Sequence, residues 1–181
     1  MTEPPEAPAW HIAHWLNGGP AEGIAALRGK VVLAVAFQML CPGCVAHGLP
    51  QAQRARAAFA ESELAVIGLH TVFEHHEAQG SEAALRAFLH EYRIDFPVGI
   101  DAPSDDGGVP QTMRAYAMQG TPTTMLIDRQ GRLRLQRFGH LDDMGLGALI
   151  ASLSAEASID RPDRRDAAAA GCDADGCPTG G

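Results

Sequence analysis

The chain predicts an α/β fold in which a βαβ unit is followed by a ββα unit around one mixed central sheet. Three observations carry that expectation. Val31 to Phe37, "VVLAVAF", is a continuous apolar, β-prone run of the kind found in strands covered on both faces. A helix-like segment separates it from a second such run in "ELAVIGLHTV", and a parallel pair needs a crossover of this kind. Further on, "TPTTMLIDRQGRLRLQRFG" reads as strand, turn centred on Gly131 and strand, an antiparallel hairpin, with "LDDMGLGALIASLSAEA" as a closing helix.

In chain order, residues 1–26 are an N-terminal extension expected to pack on the domain; its leader is acidic and proline-rich, and "GGPAEGIAALRGK", which runs across the boundary into the domain, reads as a Gly-rich turn followed by a short helix-like piece. The first strand follows. From Cys44 to Ala60 the chain is rich in Ala, Gln, Arg and Leu. A helix is therefore expected to start just after Cys41, with Pro42 in a first turn that tolerates proline and Pro50 inside, where it should bend the helix. After the second strand, "GSEAALRAFLHEYRI" predicts an inserted helix capped by Ser81, with Leu85, Phe88, Leu89 and Tyr92 on its apolar face. "DFPVGID" is a short strand, "DAPSDDGGVPQ" a surface loop, and "TMRAYAM" one or two turns of helix. The domain is expected over 27–160. Residues 161–181 hold no large apolar side chain and are expected to form a flexible tail with a second cysteine pair.

Composition narrows the function classes. At 181 residues and 46% apolar content the chain can bury a full core. With 14 basic against 22 acidic residues and a formal charge of −8, it offers no basic stripe for phosphates, so neither nucleic acid nor a membrane surface is an expected partner. The N-terminus lacks the basic start and apolar run of a secretory signal, and a cytoplasmic location is expected. The longest apolar run, from Val31 to Cys41, is about half a membrane span and is broken by Gln38. Four cysteines are too few for a disulfide scaffold, which points paired spacing toward redox or metal chemistry.

Cys41 and Cys44 are the focus. Their spacing alone suits a redox dithiol, half a zinc site or two core thiols. Their place between a buried strand and a helix favours the first, because unpaired N–H groups and partial positive charge at a helix N-terminus stabilise a thiolate at Cys41. Cys44, one turn later, is placed to resolve a mixed disulfide.

Cys41-Pro42-Gly43-Cys44 at a strand–helix junction, the Thr121-Pro122 step opening a strand, and the ββα ending resemble the thioredoxin superfamily over roughly Leu27 to Leu153. The inserted helix before "FPVGID", together with "TPTTMLIDRQGR", resembles the TlpA-like and ResA-like thiol-disulfide oxidoreductases (redoxins). The resemblance implies a thioredoxin fold and an enzyme that uses no cofactor or resident metal. It implies protein or small-molecule disulfide and thiol substrates, and an electron-donating reductase or thiol pool. It also implies a cis Pro122 facing the dithiol, leaving the Thr121 backbone free to pair with an extended substrate.

The chain departs from that pattern in places. Leu40 stands where an aromatic residue is usual, Pro42-Gly43 reverses the order in thioredoxin, and Val35 takes the place of thioredoxin's buried Asp. Glu74, after the second strand, is the candidate carboxylate to assist proton transfer, with partial burial and a raised pKa as its expected signature. His47 is read as a solvent-facing helix histidine, and His70, His75 and His76 as a polar loop cluster.

Two other functions compete. A peroxiredoxin-like thiol peroxidase would carry Thr and Pro where this chain has Gln38 and Ala34. A soft-metal module could draw ligands from Cys41, Cys44, His47, Cys172 and Cys177. Cys172 and Cys177 also resemble the mobile C-terminal dithiols of some reductases; the dozen residues after Asp160 could extend ~40 Å, against a ~15 Å gyration radius. Acidic flanks would make that pair a donor or resolver before a first attacker.

Overall fold

The computed structural model describes residues 3–156. Six strands, β1 (Ile12–Leu16), β2 (Val31–Phe37), β3 (Leu64–His70), β4 (Val98–Asp101), β5 (Thr123–Ile127) and β6 (Leu133–Phe138), form one mixed sheet in the order β1-β4-β3-β2-β5-β6. β2 lies at its heart with all seven residues buried. It runs parallel to β3 and antiparallel to β5. β4 extends the parallel side, and β6 completes the hairpin.

The apolar run of β2 divides between two cores by strand alternation. Leu33, Val35 and Phe37 face α1, Leu49–Ala58, together with α3, Glu82–Glu91, and α5, Asp143–Ala155. Val32, Ala34 and Ala36 face the other way, toward Trp10, Met113, Tyr116 and Met118. Two-sided burial is the reason this strand has no polar alternation.

Both larger capped helices start as their sequences dictate. Ser81 accepts a hydrogen bond from Ala84 N–H at 3.1 Å, and Asp142 accepts from Met144 and Gly145 N–H at 3.0 Å each. Leu85 and Leu89 are buried as expected, but Tyr92 is exposed: it caps the helix, and Arg93 turns the chain away with a positive φ of 53°. The hairpin turn is held by Asp128, buried and accepting from Gln130 and Arg132 N–H, while Gly131 takes φ +84° against the Arg28 guanidinium, where a Cβ would clash.

Two features differ from the sequence expectation. The proline-rich leader contains a strand, β1 (Ile12–Leu16), antiparallel to β4 at the sheet edge. The helix starts at Pro42, just after Cys41 as expected, but widens into a π turn over Cys44–Gly48, where Leu49 N–H reaches back to Cys44 O. Pro50 explains the turn: it has no N–H to offer Ala46 four residues earlier, so the ladder slips by one.

Gly68 shows how tightly the upper core is packed. A Cβ there would lie 3.0 Å from Val98 Cγ2 and 3.2 Å from both the Phe37 and Phe96 rings. Gly68→Val should therefore lower stability by about 1–3 kcal/mol through overpacking, read as a lower urea midpoint at unchanged slope.

Candidate active site

Cys41 and Cys44 meet where β2 ends and the helix begins. Both are free thiols, Cys41 partly exposed and Cys44 buried. Cys44 N–H donates to Cys41 Sγ at 3.2 Å, and Cys44 and Val45 N–H both point to Cys41 O at 3.1 Å. The first turn thus turns its free donors onto the first cysteine. Cys41 Sγ in turn donates to Thr121 O at 3.4 Å. The Cys44 thiol is pushed up to about 12, first by burial and then by the neighbouring Cys41. The two sulfurs differ in kind: one reachable and served by a backbone donor, the other buried and held as the thiol.

The Thr121–Pro122 peptide is cis. The Pro122 ring packs on the helix start, so a Cβ at Gly43 would lie 3.3 Å from its Cδ and one at Gly48 3.0 Å from its Cβ. Glycine at both positions lets the helix and the 120–123 segment close on one another. Val35 lies beneath this contact, 3.6 Å from the same Gly48 Cβ position, where its apolar side chain adds to the dry surroundings of Cys44. On the open side, Leu40 is 55% exposed and Phe138 50%, with the Phe138 ring against Gly120. The site therefore carries an apolar rim despite lacking the aromatic residue before Cys41.

Other candidates fall in different places. Glu74 is exposed rather than partly buried, because its loop lies on the surface; its Oε1 accepts from Gln38 Nε2 at 3.3 Å. His47 is exposed and its ring lies 5.1 Å from that of His140. His75 and His76 are exposed, but His70 is not a loop residue: it ends β3 opposite Phe37, buried, with Nε2 lacking a hydrogen-bond partner. No group of three or more potential metal ligands occurs among the described residues. Cys172 and Cys177 lie outside the described residues.

Two further residues meet at the site, neither of them given a role there by sequence. Gln38 and Gln79 are each 1% exposed and bonded to one another, Gln79 Nε2 to Gln38 Oε1, at 3.0 Å. Gln38 did leave a trace, as the polar break in the apolar run from Val31.

The AhpC/TSA family matches residues 16–136. The chain belongs to the AhpC/TSA family. Solved structures similar to this AhpC/TSA member narrow its type. A thioredoxin-like superfamily protein is 56% identical with a TM-score of 0.81, the match covering 84% of this chain and 98% of that one. A thiol-disulfide isomerase from Corynebacterium glutamicum is 46% identical with a TM-score of 0.78, covering 83% and 98%. A thiol:disulfide interchange protein of the thioredoxin family from Chlorobium tepidum shares the fold at 18% identity and a TM-score of 0.63, covering 85% and 99%. A comparison with curated proteins gives no match. Family and fold together make the chain a thioredoxin-like oxidoreductase, as the dithiol and the ββα ending implied. No helix among the described residues is long and apolar enough to cross a membrane.

Proposed function

We propose that this AhpC/TSA member exchanges disulfides through Cys41 and Cys44. The observation that carries the reading is the asymmetry of the pair: Cys41 Sγ is accessible and accepts the Cys44 N–H, whereas Cys44 is buried and its thiol is kept protonated. In the reducing direction the Cys41 thiolate attacks a substrate disulfide R–S–S–R′, forming Cys41–S–S–R and releasing R′S⁻. The Cys44 thiol gives up its proton to the released thiolate or to water and attacks Cys41 Sγ, closing the Cys41–Cys44 disulfide and releasing RS⁻. A thiol reductant then restores the dithiol; run backwards, the same steps oxidise a substrate dithiol. The Thr121–Pro122 segment and the Leu40/Phe138 rim form the surface a substrate meets.

The test is a redox titration of the full chain in glutathione buffers, following Cys41 and Cys44 by alkylation and mass spectrometry. A reversible two-electron couple is expected, and failure of the pair to oxidise reversibly would sink the reading. The rate of exchange with a substrate disulfide, measured for the full chain with and without Cys172→Ser and Cys177→Ser, tests the tail pair as a relay: an unchanged rate would remove it.

The AhpC/TSA match itself favours a second reading, a peroxiredoxin-like thiol peroxidase. It predicts a sulfenic acid on Cys41 at low hydrogen peroxide, formed far faster than on a free thiol. Slow oxidation would decide against it, as Gln38 and Ala34 at the usual Thr and Pro positions lead one to expect.

A further inference from the structure

We propose that Gln79, in the segment inserted after β3, is a positioning residue for the dithiol: it anchors the peptide just before Cys41 and passes through Gln38 to the Glu74 loop. Gln79 is the last residue of α2, His76–Gln79. Its Oε1 accepts from Leu40 N–H at 3.1 Å, one residue ahead of the attacking cysteine. Its Nε2 donates to Gln38 Oε1 at 3.0 Å and to Glu74 O at 2.9 Å. Gln38 Oε1 also accepts from Phe73 N–H at 3.2 Å, and Gln38 Nε2 reaches Glu74 Oε1 at 3.3 Å. The orientations are mutually fixed. Leu40 and Phe73 offer only N–H groups, so each amide must turn its oxygen toward them, which leaves the two nitrogens to face Gln38 Oε1 and Glu74.

Met39 and Leu40 lie between β2 and the helix, beyond the strand ladder, so this stretch depends on side chains to hold it. Cys41 N–H itself makes a long bond of 3.3 Å to Gln38 O. The Gln79 contact at Leu40 is the shorter tether, and the segment it comes from is otherwise distant in sequence. Loss of this tether frees Cys41 to move relative to the Cys44 N–H at 3.2 Å and Thr121 O at 3.4 Å. A displacement of an ångström in a reacting group can cost on the order of a hundredfold in rate.

This inference rests on the dithiol-exchange reading, and its test separates the two. Full-length chains carrying Cys172→Ser and Cys177→Ser are reduced and mixed with the aromatic disulfide 5,5′-dithiobis(2-nitrobenzoate), and the exchange rate of each Gln79 variant is divided by that of the chain with native Gln79 at each pH from 5 to 8. Gln79→Leu should run at least about tenfold slower at every pH. In Gln79→Glu a protonated carboxyl keeps an acceptor for Leu40 N–H and one donor. The ionised form has no donor and sets its charge against Gln38 Oε1, Glu74 O and the Glu74 carboxylate. Its rate ratio should therefore stand near one at the acid end and fall toward that of Gln79→Leu as pH rises. A pH-independent ratio for folded Gln79→Glu, or a native rate in Gln79→Leu, would overturn the positioning role. If Gln79→Leu does not fold, the pH profile of Gln79→Glu decides alone. Absence of reversible oxidation in the native chain would instead overturn the exchange reading itself.

Discussion

Cys41→Ser should lower the rate of thiol-disulfide exchange by at least about a thousandfold, to the background of the remaining thiols. A serine hydroxyl is un-ionised at neutral pH, so the Cys44 N–H and the helix start have no sulfur anion to stabilise. Cys44, the only other thiol at the described site, is buried and protonated, and so cannot substitute as attacker. Cys44→Ser should give a different result: attack survives and resolution fails, so the Cys41 mixed disulfide accumulates. Intact-mass measurement after a pulse of substrate disulfide, in chains that also carry Cys172→Ser and Cys177→Ser, distinguishes the two, with an adduct in Cys44→Ser and none in Cys41→Ser. Equal adduct formation in both variants would remove the assignment of roles.

The unlike behaviour of the two sulfurs follows from the fold rather than from their spacing. β2 delivers Cys41 to the rim of the sheet, where the helix N-terminus opens to solvent. Cys44 then lies one turn deeper, over Val35 and against the apolar cluster between sheet and helices. Gly43 and Gly48 let Pro122 close that floor. Val35 makes the floor apolar, and the Glu74 carboxylate connects to the Leu40 N–H only through the hydrogen bonds of Gln38 and Gln79.

The parts legible in sequence were those written in local pattern. A seven-residue apolar run has few readings other than a buried strand, and a C-x-x-C at its end followed by a helix-rich segment locates the chemistry. Thr121-Pro122 and Gly131 likewise mark the hairpin by their own backbone preferences. What could not be read depended on contacts between distant segments. Gln79 sits among His75, His76, Glu77 and Gly80, a polar stretch that looks solvated; it is buried only because α2 folds back over the end of β2. His70 belongs by composition with His75 and His76 and by position with the apolar run "ELAVIGLHTV"; the β3 register decides between them and seats it opposite Phe37. β1 was hidden because Trp10, Ile12, Trp15 and Leu16 are spread through a segment whose prolines and acidic residues dominate its composition.

His70 has the second large consequence, an acid limb in stability. Burial holds its pKa down to about 4 from 6.5, and its ring packs 5.3 Å from that of Phe37 with no hydrogen-bond partner at Nε2 to ease protonation. The folded state therefore favours neutral His70, and the unfolded chain binds the extra proton. Stability from this group is fully present above about pH 6.5 and is lost as pH falls toward 4, by about 3 kcal/mol in total. Asp101, which accepts from Thr71, works in the opposite sense. Its pKa is raised by burial, so its contribution is present below the ordinary carboxylate range and lost as pH rises. The native chain alone would report the two together, so the measurement is a difference. Urea unfolding free energies of the native chain and of His70→Leu, taken every half unit from pH 4 to 7.5, should diverge steadily below pH 6.5, the variant keeping stability that the native chain loses. Parallel curves through that window would show that His70 is not held neutral by the fold.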